Sequence, residues 1–123
     1  MKTILIADDE PNIVVSLEYL LEREGYHVLV ARDGQEALAA IELMAPDLVL
    51  LDVMLPRLSG FDVCRRIRAN PAWNGMRVVM LTAKGRDVEV SQGLAFGADA
   101  YVTKPFSTRD LVAQIAMLLA PKE

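Results

Sequence analysis

Five residues of this 123-residue chain have side chains suited to chemistry, and each directly follows a short apolar run. Asp8 and Asp9 follow Ile4-Leu5-Ile6-Ala7, Asp52 follows Leu48-Val49-Leu50-Leu51, Thr82 follows Val78-Val79-Met80-Leu81, and Lys104 follows Ala100-Tyr101-Val102-Thr103. Carboxylates crowded together raise one another's pKa, and a divalent cation relieves that repulsion. Oxygen ligands without histidine or cysteine partners suit Mg2+, which takes an octahedral oxygen shell and keeps several waters. A lysine ammonium can hold an anion and a threonine hydroxyl can reach one of its oxygens. Placed around one aspartate, these groups make a phosphoryl-transfer site with Asp52 as nucleophile.

Such a site exists only if the fold brings the run ends together. Leu48 to Leu51, bounded by Pro46 and Pro56, reads as a strand buried on both faces, the kind found in parallel sheets covered by helices. A charged Asp52 at its end is costly unless it meets water or a cation. Around it the chain alternates strand and helix five times. Pro11 suits a first helical turn, Ile13, Val14, Leu17, Leu20 and Leu21 form a stripe, and Gly25 stops that helix. His27 to Ala31 is the second strand. Asp33 with Glu36 forms a capping box ahead of Ala37, Leu38 and Ile41. Ser59 caps a third helix carrying Phe61, Cys64 and Ile67 inward, and Asn70-Pro71 and Asn74-Gly75 mark a loop. Asp87 opens a weak fourth helix with Gly93 inside it and Gly97 near its end. Ser107 caps the last helix, striped by Leu111, Val112, Ile115, Leu118 and Leu119. This order predicts an α/β fold, a doubly wound parallel sheet with right-handed crossovers and helices on both faces. Its site lies in the crevice at the carboxyl ends of the strands.

Composition bounds the reading. With 53% hydrophobic residues, no repeat and no linker, residues 1–123 are expected to form a single domain. No apolar stretch is long enough to span a bilayer, and Met1-Lys2-Thr3 leads straight into a strand without a signal-peptide pattern. Cys64 is the only cysteine, so a reducing, cytoplasmic setting is the default, and its place on the inner helix face makes it a core residue. The net charge of −4 argues against direct nucleic-acid binding. Arg65, Arg66 and Arg68, beside Arg57, read as a solvated helix face. His27 has no companion ligands and reads as a surface or strand-edge residue, and Trp73 as a cover for the core edge.

Asp8-Asp9-Glu10, Leu51-Asp52, Leu81-Thr82-Ala83 and Tyr101-Val102-Thr103-Lys104-Pro105-Phe106 together resemble the signature of receiver domains from two-component response regulators, over essentially the whole chain. The resemblance implies a flavodoxin-like, five-stranded sheet of order 2-1-3-4-5. It makes Asp52 the phosphoacceptor, Asp9 a direct Mg2+ ligand, Asp8 a direct or water-mediated one, and the Met54 carbonyl the third protein ligand. Thr82 and Lys104 contact the phosphoryl group, Tyr101 is the switch aromatic that moves with Thr82, and the bond before Pro105 is cis. A sensor histidine kinase or phosphotransfer protein is then the donor. The surface of the fourth helix, fifth strand and last helix acts on a downstream output domain or protein.

Two further expectations concern departures from that pattern. Ala100, Gln114 and Ala116 stand where charged residues often pair receivers, so a monomer or weak dimer is expected. Met54 and Lys84, two residues after Asp52 and Thr82, flank the path of an attacking water and cannot orient it well, so self-dephosphorylation should be slow. Two other classes of protein compete with this reading. A magnesium-dependent phosphatase would carry its nucleophile on the first strand in an Asp-x-Asp pattern. A nucleotide- or flavin-binding module would need a Gly- or Ser/Thr-rich loop after that strand, where the acidic Asp8-Asp9-Glu10 stands instead.

Overall fold

The computed structural model describes residues 1–83 and 97–120. Five strands form one sheet: β1 (Thr3–Ala7), β2 (His27–Ala31), β3 (Leu48–Asp52), β4 (Arg77–Ala83) and β5 (Ala100–Lys104). All neighbours are parallel and the order is β2-β1-β3-β4-β5, as the flavodoxin-like reading requires. Helices α1 (Pro11–Arg23), α2 (Gly34–Met44), α3 (Gly60–Ala69) and a C-terminal helix (Thr108–Leu119) are the four among the described residues. The expected fourth helix from Asp87, with Gly93, and the residue Lys84 lie outside the described residues.

Side chains alternate across each central strand, which is why those strands are apolar throughout. Leu5, Ala7, Val49, Leu51, Val78 and Met80 face one cluster, packed with Ala37 and Ile41 of α2 and Val63, Cys64 and Ile67 of α3. Ile4, Ile6, Leu48, Leu50, Val79 and Leu81 face the other, packed with Val14, Leu17 and Leu21 of α1 and Leu111 and Ile115 of the C-terminal helix. Each such aliphatic side chain contributes about 1.5–3 kcal/mol when fully buried. β2 is an edge strand, and its His27 is exposed as expected.

The helix ends follow their sequence signals. Pro11 opens α1, and Gly25, at φ 94°, ends it in a conformation that glycine adopts without strain. Asp33 Oδ1 accepts from the Glu36 N–H at 2.8 Å while Glu36 Oε1 accepts from the Arg32 N–H at 3.1 Å. Ser59 and Ser107 accept from the N–H groups of Asp62 and Asp110, both at 3.2 Å. Between α3 and β4 the chain makes a short 3-10 turn, Pro71–Trp73, with Trp73 against the core edge.

One expectation fails here. Arg68 does not belong to a solvated face. Its Nε donates to the Gly97 carbonyl at 2.8 Å, one terminal nitrogen to the Met76 carbonyl at 2.8 Å, and the other to Asp99 Oδ2 at 2.7 Å. Asp99 in turn accepts from the Val78 N–H at 2.7 Å, and Arg77 lies 3.4 Å from its other oxygen. The planar guanidinium fits several carbonyl and carboxylate acceptors at once. Counting charges along α3 hides this, because the partners come from the entries to β4 and β5. Arg65 and Arg57 pair more simply, with Asp62 at 2.8 Å and Asp33 at 3.4 Å.

Candidate functional site

The carboxyl ends of β1, β3, β4 and β5 meet in one crevice. Register brings this about. Ala7 lies opposite Leu51, Asp52 opposite Leu81, and Ala83 opposite Lys104, so residues far apart in sequence end their strands side by side. Asp8, Asp52 and Thr82 are the buried polar residues among those described, at 0%, 5% and 2% exposure.

Lys104 is the hub. Its Nζ lies 2.8 Å from Glu10 Oε1, 3.0 Å from Asp8 Oδ2 and 3.4 Å from Asp52 Oδ2. Asp8 Oδ1 accepts from the Glu10 N–H at 2.9 Å, and Asp52 Oδ1 from the Met54 N–H at 3.1 Å. Burial is the main cause that raises the pKa of Asp52. The charge of Asp8 adds to it, while the Met54 N–H and Lys104 oppose it. Burial alone would lower the pKa of Lys104, but its bond to Glu10 and the nearby negative charges of Asp8 and Asp52 outweigh it and hold the ammonium protonated.

Oxygens of Asp8, Glu10 and Asp52 lie within 4.8 Å of one another, a grouping able to hold a metal ion. Asp8 Oδ2 is sealed from solvent and accepts no aligned hydrogen bond, despite its nearness to Nζ. A buried oxygen lacking a donor is what a hard cation satisfies, and the all-oxygen donor set is the one Mg2+ prefers. The residues present therefore fit Mg2+.

The expected site residues fall as follows. Asp8, Asp52, Thr82 and Lys104 converge. Asp9 is exposed beside them, and Glu10 takes the third place in the acidic group. Met54 turns its side chain outward, 57% exposed, while its N–H holds Asp52. Tyr101 pairs with Met80 in register, so Thr82, two residues on, shares its face of the sheet. Tyr101 packs against the core cluster on that side. The Lys104–Pro105 bond is cis.

Two glycines shape the loop after Asp52, and neither was singled out in the sequence. A Cβ on Gly60 would collide with the Asp52 carbonyl oxygen, and one on Gly34 with the Leu58 carbonyl. The Gly60 N–H donates to the Val53 carbonyl at 3.0 Å and the Gly34 N–H to that of Pro56 at 3.1 Å. The loop that carries Met54 is thereby clamped between the starts of α2 and α3. Close backbone approach leaves no local sequence pattern, and a bare glycine is its sole trace.

The doubly wound parallel sheet, with an acidic crevice, a lysine and a buried aspartate at its strand ends, places the chain in the flavodoxin-like class of folds. Residues 4–116 match the model of the response regulator receiver domain, and the chain belongs to that family, the receivers of two-component systems. It is 47% identical over 122 residues to the alkaline phosphatase synthesis transcriptional regulatory protein PhoP of Bacillus subtilis, covering 99% of this chain and 50% of that one. It is 47% identical over 120 residues to the DNA-binding response regulator MtrA of Mycolicibacterium smegmatis, covering 98% and 51%. The chain thus spans about half the length of these relatives. Among solved structures, the CheY-like receiver domain protein of Methanospirillum hungatei matches with a TM-score of 0.87 and 36% identity, over 95% of this chain and 92% of that one. The receiver domain of the sensor histidine kinase PA1611 from Pseudomonas aeruginosa, which holds a magnesium ion in its active site cleft, matches with a TM-score of 0.86 and 29% identity, over 95% and 96%. Among the described residues no helix is long and apolar enough to cross a membrane.

Proposed function

We propose that residues 1–123 act as one receiver domain that accepts a phosphoryl group on Asp52 and passes the change to an output partner. The observation that carries this reading is the position of Asp52. It ends β3 almost sealed from solvent, with the oxygen that does not bond the Met54 N–H lying 3.4 Å from the Lys104 ammonium and within the acidic group. In the transfer, an Asp52 oxygen attacks phosphorus, the new P–O bond forms, and the bond to the donor breaks. With a phosphohistidine that bond is P–N, and the leaving imidazole takes a proton from solvent. The donor is a sensor histidine kinase, a phosphotransfer protein or a small acyl phosphate.

Asp8, Asp9, Asp52 and the Met54 carbonyl are the residues that would hold Mg2+. When bound, Mg2+ offsets the charge on the phosphoryl oxygens. The Lys104 ammonium and the Thr82 hydroxyl hold those oxygens from the protein side. Tyr101, on the face shared with Thr82, relays the change to β5 and the C-terminal helix, which with the expected fourth helix form the output surface. The domain is a signalling module rather than an enzyme with an external substrate, works in the cytoplasm, and binds neither nucleic acid nor membrane itself. It stays a monomer or weak dimer, because Ala100, Gln114 and Ala116 supply none of the charges that would set a dimer's register.

The test is labelling with acetyl phosphate. Covalent phosphate should appear only with Mg2+ and should vanish in Asp52→Asn. Labelling that survives the substitution, or survives chelation, would remove Asp52 or the cation from the reaction.

A further inference from the structure

Glu10 plays no part in the expected ligand set, yet it makes the shortest contact with Lys104, 2.8 Å across 94 residues of chain. The other two carboxylates near Nζ belong to buried strand ends. Glu10 differs from them in two ways. Its side chain is 56% exposed, and although it stands at the N-cap of α1 it makes no capping hydrogen bond. Its backbone carbonyl, which accepts from the Val14 N–H at 3.1 Å, serves the helix whatever the side chain does. The carboxylate is therefore held by Lys104 and by nothing else the helix requires.

We propose that Glu10 is a latch on Lys104. Its carboxylate takes the N–H donor that a phosphoryl oxygen on Asp52 would otherwise receive, so it sets how readily the site accepts a phosphoryl group. This rests on the phosphoacceptor reading above. An ammonium has three donors, and Glu10, Asp8 and Asp52 surround it. A phosphoryl group, carrying a charge of about −1.5 to −2, would repel Glu10 and compete for the same donor. The bond to Glu10 must be released as the phosphoryl arrives. Of the three carboxylates only Glu10 can leave for water cheaply, because it is the exposed one. Glu10 is thus a positioning residue, acting through Lys104.

The test compares the chain with Glu10→Gln and Glu10→Asp. Fluoroberyllate is the phosphoryl mimic, titrated at saturating Mg2+, and Mg2+ affinity is measured separately by calorimetry. Glu10→Gln should bind fluoroberyllate about two- to five-fold more tightly, the range a partly exposed ion pair allows. Glu10→Asp keeps the charge but is one methylene too short to reach, and should shift the same way. The gap between Glu10→Gln and the unsubstituted chain should narrow at high salt, which screens exposed pairs. Equal or weaker binding by Glu10→Gln at saturating Mg2+ overturns the latch. So does a change confined to Mg2+ affinity, which would make Glu10 a metal ligand. Glu10→Asp behaving as the unsubstituted chain would also overturn it, since charge alone would then suffice. If the unsubstituted chain takes up no fluoroberyllate, the phosphoacceptor reading falls and the latch with it. If it does take it up, only the latch is at stake in the comparison.

Discussion

Arg68, in the last turn of α3, and Asp99, ahead of β5, close a 2.7 Å ion pair across 31 residues. Their side chains are only 22% and 20% exposed. The pair fastens α3 to the strand that ends in Lys104, and Gly97 makes room for it. A Cβ there would come 2.8 Å from the Arg68 side chain, and the φ of 93° is itself a glycine conformation.

Arg68→Ala should therefore destabilise the fold by roughly 2 kcal/mol, because it removes three hydrogen bonds at once and leaves the Asp99 carboxylate with only the Val78 N–H and Arg77. Arg68→Lys should recover little, since one ammonium cannot serve three spread acceptors. Urea unfolding measures both. A loss below about 0.5 kcal/mol for Arg68→Ala would mean that water replaces the clamp.

Asp52→Asn should stabilise the metal-free protein. Folding raises the pKa of Asp52, so its favourable contribution is complete below the unfolded value of 3.8 and is lost as pH rises through the folded value. At neutral pH the buried carboxylate is a net cost. Removing it should gain about 1 kcal/mol in EDTA, the size of a typical substitution effect with its sign reversed. Added Mg2+ should then raise the melting temperature of the unsubstituted chain more than that of Asp52→Asn. Thermal melts in EDTA and in Mg2+ decide it, and equal responses to Mg2+ would place the cation elsewhere.

Cys64 should be inert in the folded protein. It is fully buried, and burial pushes its thiol up to about 11, with Asp99 adding to the rise and Arg68 opposing it. A thiol reagent at pH 8 should modify it only on unfolding. Because the folded pKa lies above the unfolded value of 9.0, the stability linked to this thiol is complete below pH 9 and is lost as pH rises through about 11. Denaturant titrations from pH 8 to 11 should show that decline, and Cys64→Ala should lessen it. Fast labelling of the native protein at pH 8 would contradict the burial.

The phosphorylated state should be long-lived. The Met54 side chain is exposed beside the site and offers a water no more than a weak sulfur acceptor. Met54→Asn combined with Lys84→Glu should shorten the lifetime by about ten-fold, equivalent to about 1.4 kcal/mol of barrier. Loss of phosphate after removal of the donor measures it. An unchanged or slower rate would show that other groups govern the approach of water.

Elements set by local chemistry were legible in the sequence. Apolar runs gave the strands, stripes gave the helices, and Asp33, Ser59 and Ser107 cap where their side chains predict, because each depends on neighbours a few residues away. Asp8, Asp52, Thr82 and Lys104 could be placed at strand ends for the same reason. The strand order, drawn from a resemblance, and the distances between those ends depended on how the strands pair. Only the tertiary structure decided that Glu10 closes on Lys104, since the two lie 94 residues apart and meet only where the sheet brings the ends of β1 and β5 to one crevice. It alone decided that Arg68 is a clamp, as its acceptors are carbonyls and a carboxylate from other elements. It alone showed why Gly34 and Gly60 are glycines. Contacts between backbones distant in sequence have no periodicity, and their energies appear only when the packed layers meet.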